Sequence, residues 1–408
     1  MTSTTVNRAI EMDQDQAAAV AAVGSWLSRR LVDPKVPQMF RVGGPAGSGK
    51  TTVIKEILER HRDLDVAVTT LTGKASQVLR DKGVDTAINL HQLFYRPDPD
   101  IMPRKQEVDR LLQGVTDPQE VRTLRLESQQ LAKTMHVRVP EIGHELIIVD
   151  EASMISGRVA EDILQFGRPV LAVGDPMQLP PVESSYGLPP LFADRFPDKL
   201  LMGNHRSNDD LVGRVVNAAR AGRGLPTEAI VGTDRRDIDL RDYDVILVAS
   251  KTRRWEVISE LRQAQGKPTT RPVVGDEIML WKNAHDHGLF NGSTAVIMDM
   301  EYGETKDEFR ALFDDGSWHT VALAGFQSQA ALAKEEADWK KRKRRLVASY
   351  ADVLTVHKAQ GSEWSRVLVA DQWGGKDLDM KQRWRYTAVT RARDLVHVVG
   401  AEFGVPVA

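Results

Sequence analysis

The chain has 408 residues, no cysteine and a net charge of −2, from 55 Lys and Arg against 57 Asp and Glu. Lack of cysteine removes disulfides, thiolate zinc sites, iron–sulfur clusters and cysteine nucleophiles together, and fits a reducing compartment. At roughly 100–200 residues per domain the length accommodates two to four domains, each able to bury a core. The near-neutral charge argues against coating nucleic acid by bulk charge but leaves room for a local basic track. No apolar run approaches the ~20 residues of a membrane span, and residues 1–5 carry no visible secretory signal.

Short β-branched runs read as buried parallel strands. In the first half they are Phe40-Arg41-Val42, Val66-Ala67-Val68-Thr69, Leu146-Ile147-Ile148-Val149 and Val170-Leu171-Ala172-Val173. Helical patterns separate many of them, and Val53, Ile54, Ile57 and Leu58 share one helical face after a glycine-rich turn. Residues 96–143 break this rhythm. The segment opens with Pro97, Pro99 and Pro103, then reads as polar helix around 120–133, with an extended stretch only at 135–140. A second set of strands follows: Val245-Ile246-Leu247-Val248, Val367-Leu368-Val369 and Val396-His397-Val398-Val399. The alternation predicts an α/β protein with two sheets, one in each half. Between them, residues 271–345 show short strands with turn signals at Asn291-Gly292 and Asp315-Gly316, the pattern of a small antiparallel β-barrel. The basic run at 340–345 reads either as a nucleic-acid contact or as a solvated helix face.

The chemistry begins at Gly44-Pro45-Ala46-Gly47-Ser48-Gly49-Lys50-Thr51, which fits the G-x-x-x-x-G-K-[ST] pattern between a predicted strand and a predicted helix. Glycines let backbone N–H groups curl around phosphate oxygens, and the helix N-terminus adds its dipole. Lys50 is placed to reach the β- and γ-phosphates, and the Thr51 hydroxyl to bind Mg²⁺, with Thr52 next along the helix. The run at 146–149 ends in Asp150-Glu151. A carboxylate at the carboxyl end of such a strand lies beside the phosphate loop. Asp150 is expected to hold the Mg²⁺ water shell, and Glu151 to orient or deprotonate the attacking water. The third strand runs into Gly174-Asp175-Pro176-Met177-Gln178-Leu179-Pro180-Pro181, where Gln178 can sense the γ-phosphate or place the water.

With these motifs in order, the chain resembles a superfamily 1 helicase, most closely of the RecD/Dda type. The resemblance runs over nearly the whole length. Gln16 looks like the glutamine that reads adenine; Thr72-Gly73-Lys74-Ala75 and Asn89-Leu90-His91-Gln92 look like single-strand contact motifs. Asn204-His205-Arg206-Ser207 resembles the segment carrying a first arginine finger, Arg206. Residues 354–363, with Thr355, His357, Gly361 and Glu363, resemble the motif touching both DNA and nucleotide. Tyr386-Thr387-Ala388-Val389-Thr390-Arg391-Ala392 resembles the final motif, with Arg391 as second finger.

The resemblance implies two RecA-like P-loop domains in tandem. The first is expected over 1–203 with an insertion at 96–143, and the second over 204–270 plus 346–408. An SH3-like β-barrel is expected over 271–345. It also implies ATP and Mg²⁺ in the cleft between the domains, and 5′→3′ movement on single-stranded DNA with unwinding of duplex. Thr72, Lys74, His91, Asn291, Thr355 and His357 are the implied DNA contacts, with Phe290 and Trp281 as stacking groups unless they are barrel core. Relatives carry a strand-splitting hairpin within the insertion, whereas this segment reads largely as helix. Partners implied are single-stranded DNA, duplex junctions and replication or recombination proteins, with no membrane. The chain is expected to be monomeric and cytoplasmic, in a bacterium or in the host of a bacterial virus. Three other readings stay open: an RNA helicase on the same engine, a non-catalytic subunit of a recombination complex, and a P-loop ATPase acting on protein. No further carboxylate cluster suggests a nuclease.

Overall fold

A computed structural model describes residues 12–134, 136–181, 189–192, 196–203, 210–232, 236, 238–284, 287–303, 307–337, 344–370 and 373–400. Strands β1 (Met39–Gly43), β2 (Val66–Thr70) and β3 (Ile88–Asn89) come first. Strands β4 (Tyr95–Pro97) and β5 (His136–Arg138) pair with each other as an antiparallel ribbon. With β6 (Leu146–Val149), β7 (Val170–Gly174) and β8 (Lys199–Leu200), the first three form a parallel sheet of order β3-β2-β6-β7-β1-β8.

Side chains alternate across this sheet, as the pleat requires. Val42, Val68, Ile148, Leu171 and Val173 pack against Val20, Val23 and Leu27 of the helix Gln14–Val32 and Val53, Ile54 and Ile57 of the helix Lys50–Arg60. Ile147, Val149, Val170 and Ala172 face the other way, onto Phe94, Leu191 and Ile163 of the helix Gly157–Leu164. Both faces are therefore dry, which is why these strands read as continuous apolar runs. The helix Gln14–Val32 starts at a capping box, with Asp13 accepting from Gln16 N at 2.7 Å and Gln16 Oε1 accepting from Asp13 N at 3.2 Å.

The break at 96–143 is a pair of helices, Ile101–Gly114 and Pro118–Thr134, between the two strands of the ribbon. The helices are held to each other in part by Arg104–Glu127 and by Ser128 Oγ donating to Asp109.

Strand β9 (Val245–Val248) starts a second sheet, which the chain then leaves. Strands β10 (Glu277–Leu280), β11 (Thr294–Tyr302), β12 (Glu308–Phe313), β13 (Trp318–Ala322) and β14 (Ala348–Tyr350) form an antiparallel sheet of order β13-β12-β11-β10-β14. A bridge between Val321 and Leu346 joins its far edge to the segment entering β14, so the sheet curls back on itself. The chain returns through β15 (Val353–Thr355), β16 (Trp364–Ala370) and β17 (Ala392–Val399) to give a parallel sheet of order β15-β9-β16-β17. The curled sheet packs on one face of this second sheet, where Ile246, Val248 and Leu368 meet Ile278, Ile297 and Phe313. Arg254, fully buried on the helix Lys251–Ala264, fastens the joint by donating to Val353 O, Tyr350 O and Ser349 Oγ at 2.7–2.9 Å. Burial lowers its guanidinium pKa to about 9.

The basic run departs from both sequence expectations at its described end. Arg345 is buried, with its guanidinium paired to both Glu335 oxygens at 2.9 Å and to Glu308 at 3.0 Å. The preceding helix is described over Gln329–Ala337, and 338–343 lie outside the described residues. Local composition marks a charge run but not which member finds a carboxylate pair across a fold. Among the described residues, no helix is long and apolar enough to cross a membrane.

Candidate nucleotide and nucleic-acid sites

The phosphate loop joins β1 to the helix Lys50–Arg60 at the carboxyl edge of the first sheet. Gly47 and Gly49 take φ of +81° and +80°, a region side chains avoid, and this turns successive N–H groups into one concavity. Lys50 Nζ donates to the carbonyls of Gly44 and Pro45, both at 2.9 Å, so the ammonium lies over the loop. Gln16 packs beneath it. Its Nε2 donates to Ser48 O at 3.3 Å, and a Cβ on Gly49 would overlap its amide. The residue implied to read adenine is thus engaged with the phosphate loop and with its own helix cap.

Strands β6, β7 and β1 are neighbours, so Asp150-Glu151 and the loop after β7 emerge beside Gly44–Thr51 in one crevice. Asp150 is pushed up to about 7, first by burial and then by Glu151, while Lys50 works in the opposite direction. Glu151 is the described non-glycine residue with positive φ, at 52°. Such a conformation costs about 1 kcal/mol outside glycine, and it aims a carboxylate whose Oε2 is buried without a hydrogen-bond partner. Ser48 Oγ and Gln178 Oε1 are likewise buried and unpartnered. Unpaired buried polar atoms cost free energy unless a ligand or water satisfies them. Of the three, the Ser48 hydroxyl can donate to a phosphate oxygen, whereas Glu151 Oε2 and Gln178 Oε1 are acceptors that suit a water. No group of three His, Cys, Asp or Glu side chains among the described residues holds a metal unaided. Thr51 and Asp150, the residues the resemblance implies for Mg²⁺, would need phosphate oxygens and water to complete a donor set.

The loop after β7 crosses to the second sheet. Leu179 is fully buried in the core formed by Val245, Leu354, Val356 and Trp384. Its N–H donates to Thr387 Oγ1 at 2.8 Å, and its carbonyl accepts from Gln360 Nε2 at 3.0 Å. Arg383 donates to Pro176 O at 2.6 Å, and Tyr386 OH to Asp175 Oδ2 at 2.7 Å. Thr387, Tyr386 and Arg383 all project from the helix Leu378–Val389. Arg391 follows that helix and is 3% exposed. Its guanidinium donates to Thr387 O, Ser362 O and Thr390 Oγ1 at 3.1, 3.3 and 2.9 Å. Gly361, at φ 75°, and Glu363 lie in the turn before β16, beside Ser362. Arg206, the other implied finger, lies outside the described residues.

The implied nucleic-acid residues divide between two places. Asn89, His91, Gln92, Tyr95, His136, Arg158 and Phe290 line a cleft of about 730 Å³ where the first sheet, the ribbon and the curled sheet meet. Burial and His136 hold His91 below the usual histidine range. Phe290 lies across Gly73, where a Cβ would overlap the ring, so it is an inter-domain contact rather than core. Trp281, in contrast, is 7% exposed and packs on Leu332 and Val347, so it belongs to the core of its subdomain.

The second place gathers cations from three segments. Lys358 Nζ donates to Asn291 Oδ1 and stands 4.7 Å over the Trp281 ring. Burial lowers Lys358 to about 8, Glu336 opposes it, and the neighbouring Arg254, Lys282 and Lys74 act with burial. Burial also lowers Lys74, against the pull of Glu277. Lys282 and Lys358 were not singled out by sequence. Lys358 sits inside a quoted motif, but only the fold brings it to Asn291. Thr72 and Thr355 cap helices, accepting from Ala75 N at 3.1 Å and Lys358 N at 3.4 Å. His357 is half-buried, and burial lowers its pKa.

A phosphate loop, an adjacent carboxylate pair and a second parallel sheet plugged into the β7 loop define a two-sheet P-loop nucleoside triphosphatase. Comparison with known proteins is consistent with this. The family model described as an AAA domain matches residues 11–238, and that of the UvrD-like helicase C-terminal domain matches 350–399. The RecBCD enzyme subunit RecD of Mycolicibacterium smegmatis is 26% identical over 418 residues, covering 88% of this chain and 68% of that protein. The ATP-dependent RecD2 DNA helicase of Deinococcus radiodurans is 27% identical over 401 residues, but the chain spans only 46% of its length. Among solved structures, a Pif1 helicase from Bacteroides with ADP-AlF3 and single-stranded DNA has a TM-score of 0.55 at 16% identity, covering 98% of this chain and 94% of that one. Two coordinating Pif1 helicases at forked duplex DNA give 0.56 at 16% identity, covering 95% and 92%. The chain belongs to the AAA-domain family, and the matches together support a RecD-type superfamily 1 helicase that hydrolyses ATP.

Proposed function

We propose that this chain hydrolyses ATP to move 5′→3′ along single-stranded DNA and to unwind duplex. The observation that carries the reading is the β7 loop, which touches the phosphate crevice at Asp175 and Gln178 and ends inside the core of the second sheet at Leu179. A change at the γ-phosphate is thereby tied to the position of the second domain, which is the hinge a motor needs. The direction of travel rests on the family resemblance alone.

In this reading Lys50 and the loop N–H groups hold the β- and γ-phosphates, and Gln16 contacts adenine. Thr51 and Asp150 hold Mg²⁺, which when bound neutralises charge on the phosphate oxygens. Glu151 orients or deprotonates the attacking water. Gln178 Nε2 faces the Asp175 carboxylate, so the free Oε1 is an acceptor and suits water better than a phosphate oxygen. Arg391 and Arg206 stabilise the transition-state charge, with Gly361 and Glu363 completing the second wall. DNA runs from the cleft of His91 and Phe290 across Lys74, Asn291 and Lys358, near Thr72, Thr355 and His357. We assign 1–203 and 204–270 plus 346–408 to two RecA-like domains, and 271–345 to an SH3-like barrel.

The test is ATP hydrolysis with and without single-stranded DNA, alongside Lys50→Ala. We expect strong stimulation by DNA and none in the variant. Unwinding from a 5′ tail only is expected next, and unwinding from a 3′ tail only would overturn the direction. Hydrolysis indifferent to DNA would favour RNA or a protein substrate, and matched RNA and DNA strands in competition would tell these apart.

A further inference from the structure

Asp175 is 1% exposed, yet its carboxylate accepts hydrogen bonds from both halves of the molecule. From its own loop it accepts from Met177 N at 3.1 Å on Oδ1, and from Gln178 Nε2 at 3.5 Å on Oδ2. From the second domain it accepts from Tyr386 OH at 2.7 Å, also on Oδ2. One oxygen thus joins the glutamine of the phosphate crevice to a fully buried tyrosine of the other sheet. The two contacts are unequal. The short bond to a charged acceptor is the strong one, and the 3.5 Å contact lies at the limit of a hydrogen bond. Burial and the neighbouring carboxylate hold Tyr386 well above the usual phenol range, so it stays the donor.

We propose that Tyr386 is a positioning residue for ATP hydrolysis: through Asp175 it sets the Gln178 side chain, so that docking of the second domain governs where the attacking water is held. The proposal rests on the nucleotide-site reading above. The tyrosine holds the carboxylate at 2.7 Å, the carboxylate lies 3.5 Å from Nε2, and Oε1 is left buried without a partner. When the second domain shifts, Tyr386 carries Asp175 with it or releases it, and Gln178 loses its alignment. Thr387 and Gln360 hold the backbone at Leu179, so the joint itself does not depend on the phenol.

The experiment is a double-mutant cycle on DNA-stimulated hydrolysis, with Tyr386→Phe, Gln178→Ala and the pair. Tyr386→Phe is expected to lower kcat with DNA about tenfold and to change KM for ATP less than about twofold. In the Gln178→Ala background the same change is expected to have almost no further effect. Fold-losses that multiply would overturn the proposal, because they would mean the tyrosine acts on packing and not through Gln178. A Tyr386→Phe variant with the full DNA-stimulated rate would overturn it as well. A wild-type protein that hydrolyses no ATP, with or without DNA, would instead overturn the nucleotide-site reading, and the relay with it.

Discussion

Arg391 has a guanidinium held by Thr387 O, Ser362 O and Thr390 Oγ1, all on its own domain. Such pre-orientation suits a group whose work is electrostatic. Arg391→Ala is expected to keep ATP binding within a few-fold while kcat falls by about 10³. Nucleotide titration beside steady-state turnover checks this, and unchanged turnover would remove Arg391 from the site. Lys358 is the second informative residue. Its ionisation near 8 lies well below the ordinary lysine range because burial opposes the charge. A DNA phosphate favours the charged form, so binding takes up a proton once the pH exceeds about 8. Affinity for single-stranded DNA should therefore fall as pH rises from 7 to 9, and Lys358→Arg should flatten that dependence. An identical slope in the variant would assign the titration elsewhere.

Among the elements, the curled sheet depends most on buried charge. Arg345 closes the end of that sheet by pairing with Glu335 and Glu308. Removing one partner of a buried pair leaves the other uncompensated, which costs about 3–5 kcal/mol. Arg345→Ala is expected to destabilise this subdomain by that order, seen as early loss of near-UV signal from Trp281 and Trp318 on heating. Little change would mean that water already reaches the pair. The ribbon β4–β5 and its two helices are a different element, tied to the first domain by Tyr95 OH donating to Asp162 at 2.7 Å. Among the described side chains of its helices, Val108 and Leu124 are the buried apolar ones.

For the whole molecule, the proposed DNA path makes the cation cluster the part whose role a salt titration tests. Lys74, Lys282 and Lys358 come from the first domain, the curled sheet and the second domain, and they lie close enough to act on one another. If all of them neutralise phosphates, log affinity should fall with log salt at a slope of about −2, at about −0.7 per phosphate on single strands. Lys358→Ala should reduce that slope by about 0.7. A flat response would remove the cluster from the DNA path. Because each lysine sits on a different unit, the domain closure over ATP proposed above would alter their spacing and link the grip on DNA to the nucleotide.

Features whose signal is local are readable from the amino-acid order alone. The phosphate loop, Asp150-Glu151, and the buried strands at 39–43, 66–70, 146–149, 170–174 and 245–248 were legible because glycine spacing and apolar period are properties of contiguous residues. The turns at Gly292 and Gly316 were legible for the same reason, and both glycines do have positive φ. Contacts between residues distant in the chain emerge only from the fold. Phe290 meets Gly73, Lys358 meets Asn291, Tyr386 meets Asp175, and Arg345 turns inward to Glu335. The short strands β3, β4, β8 and β14 belong here too, since two or three residues carry no period and form strands only because a neighbour offers its edge. Burial and electrostatics decide such contacts, and neither acts until the chain has brought the partners together.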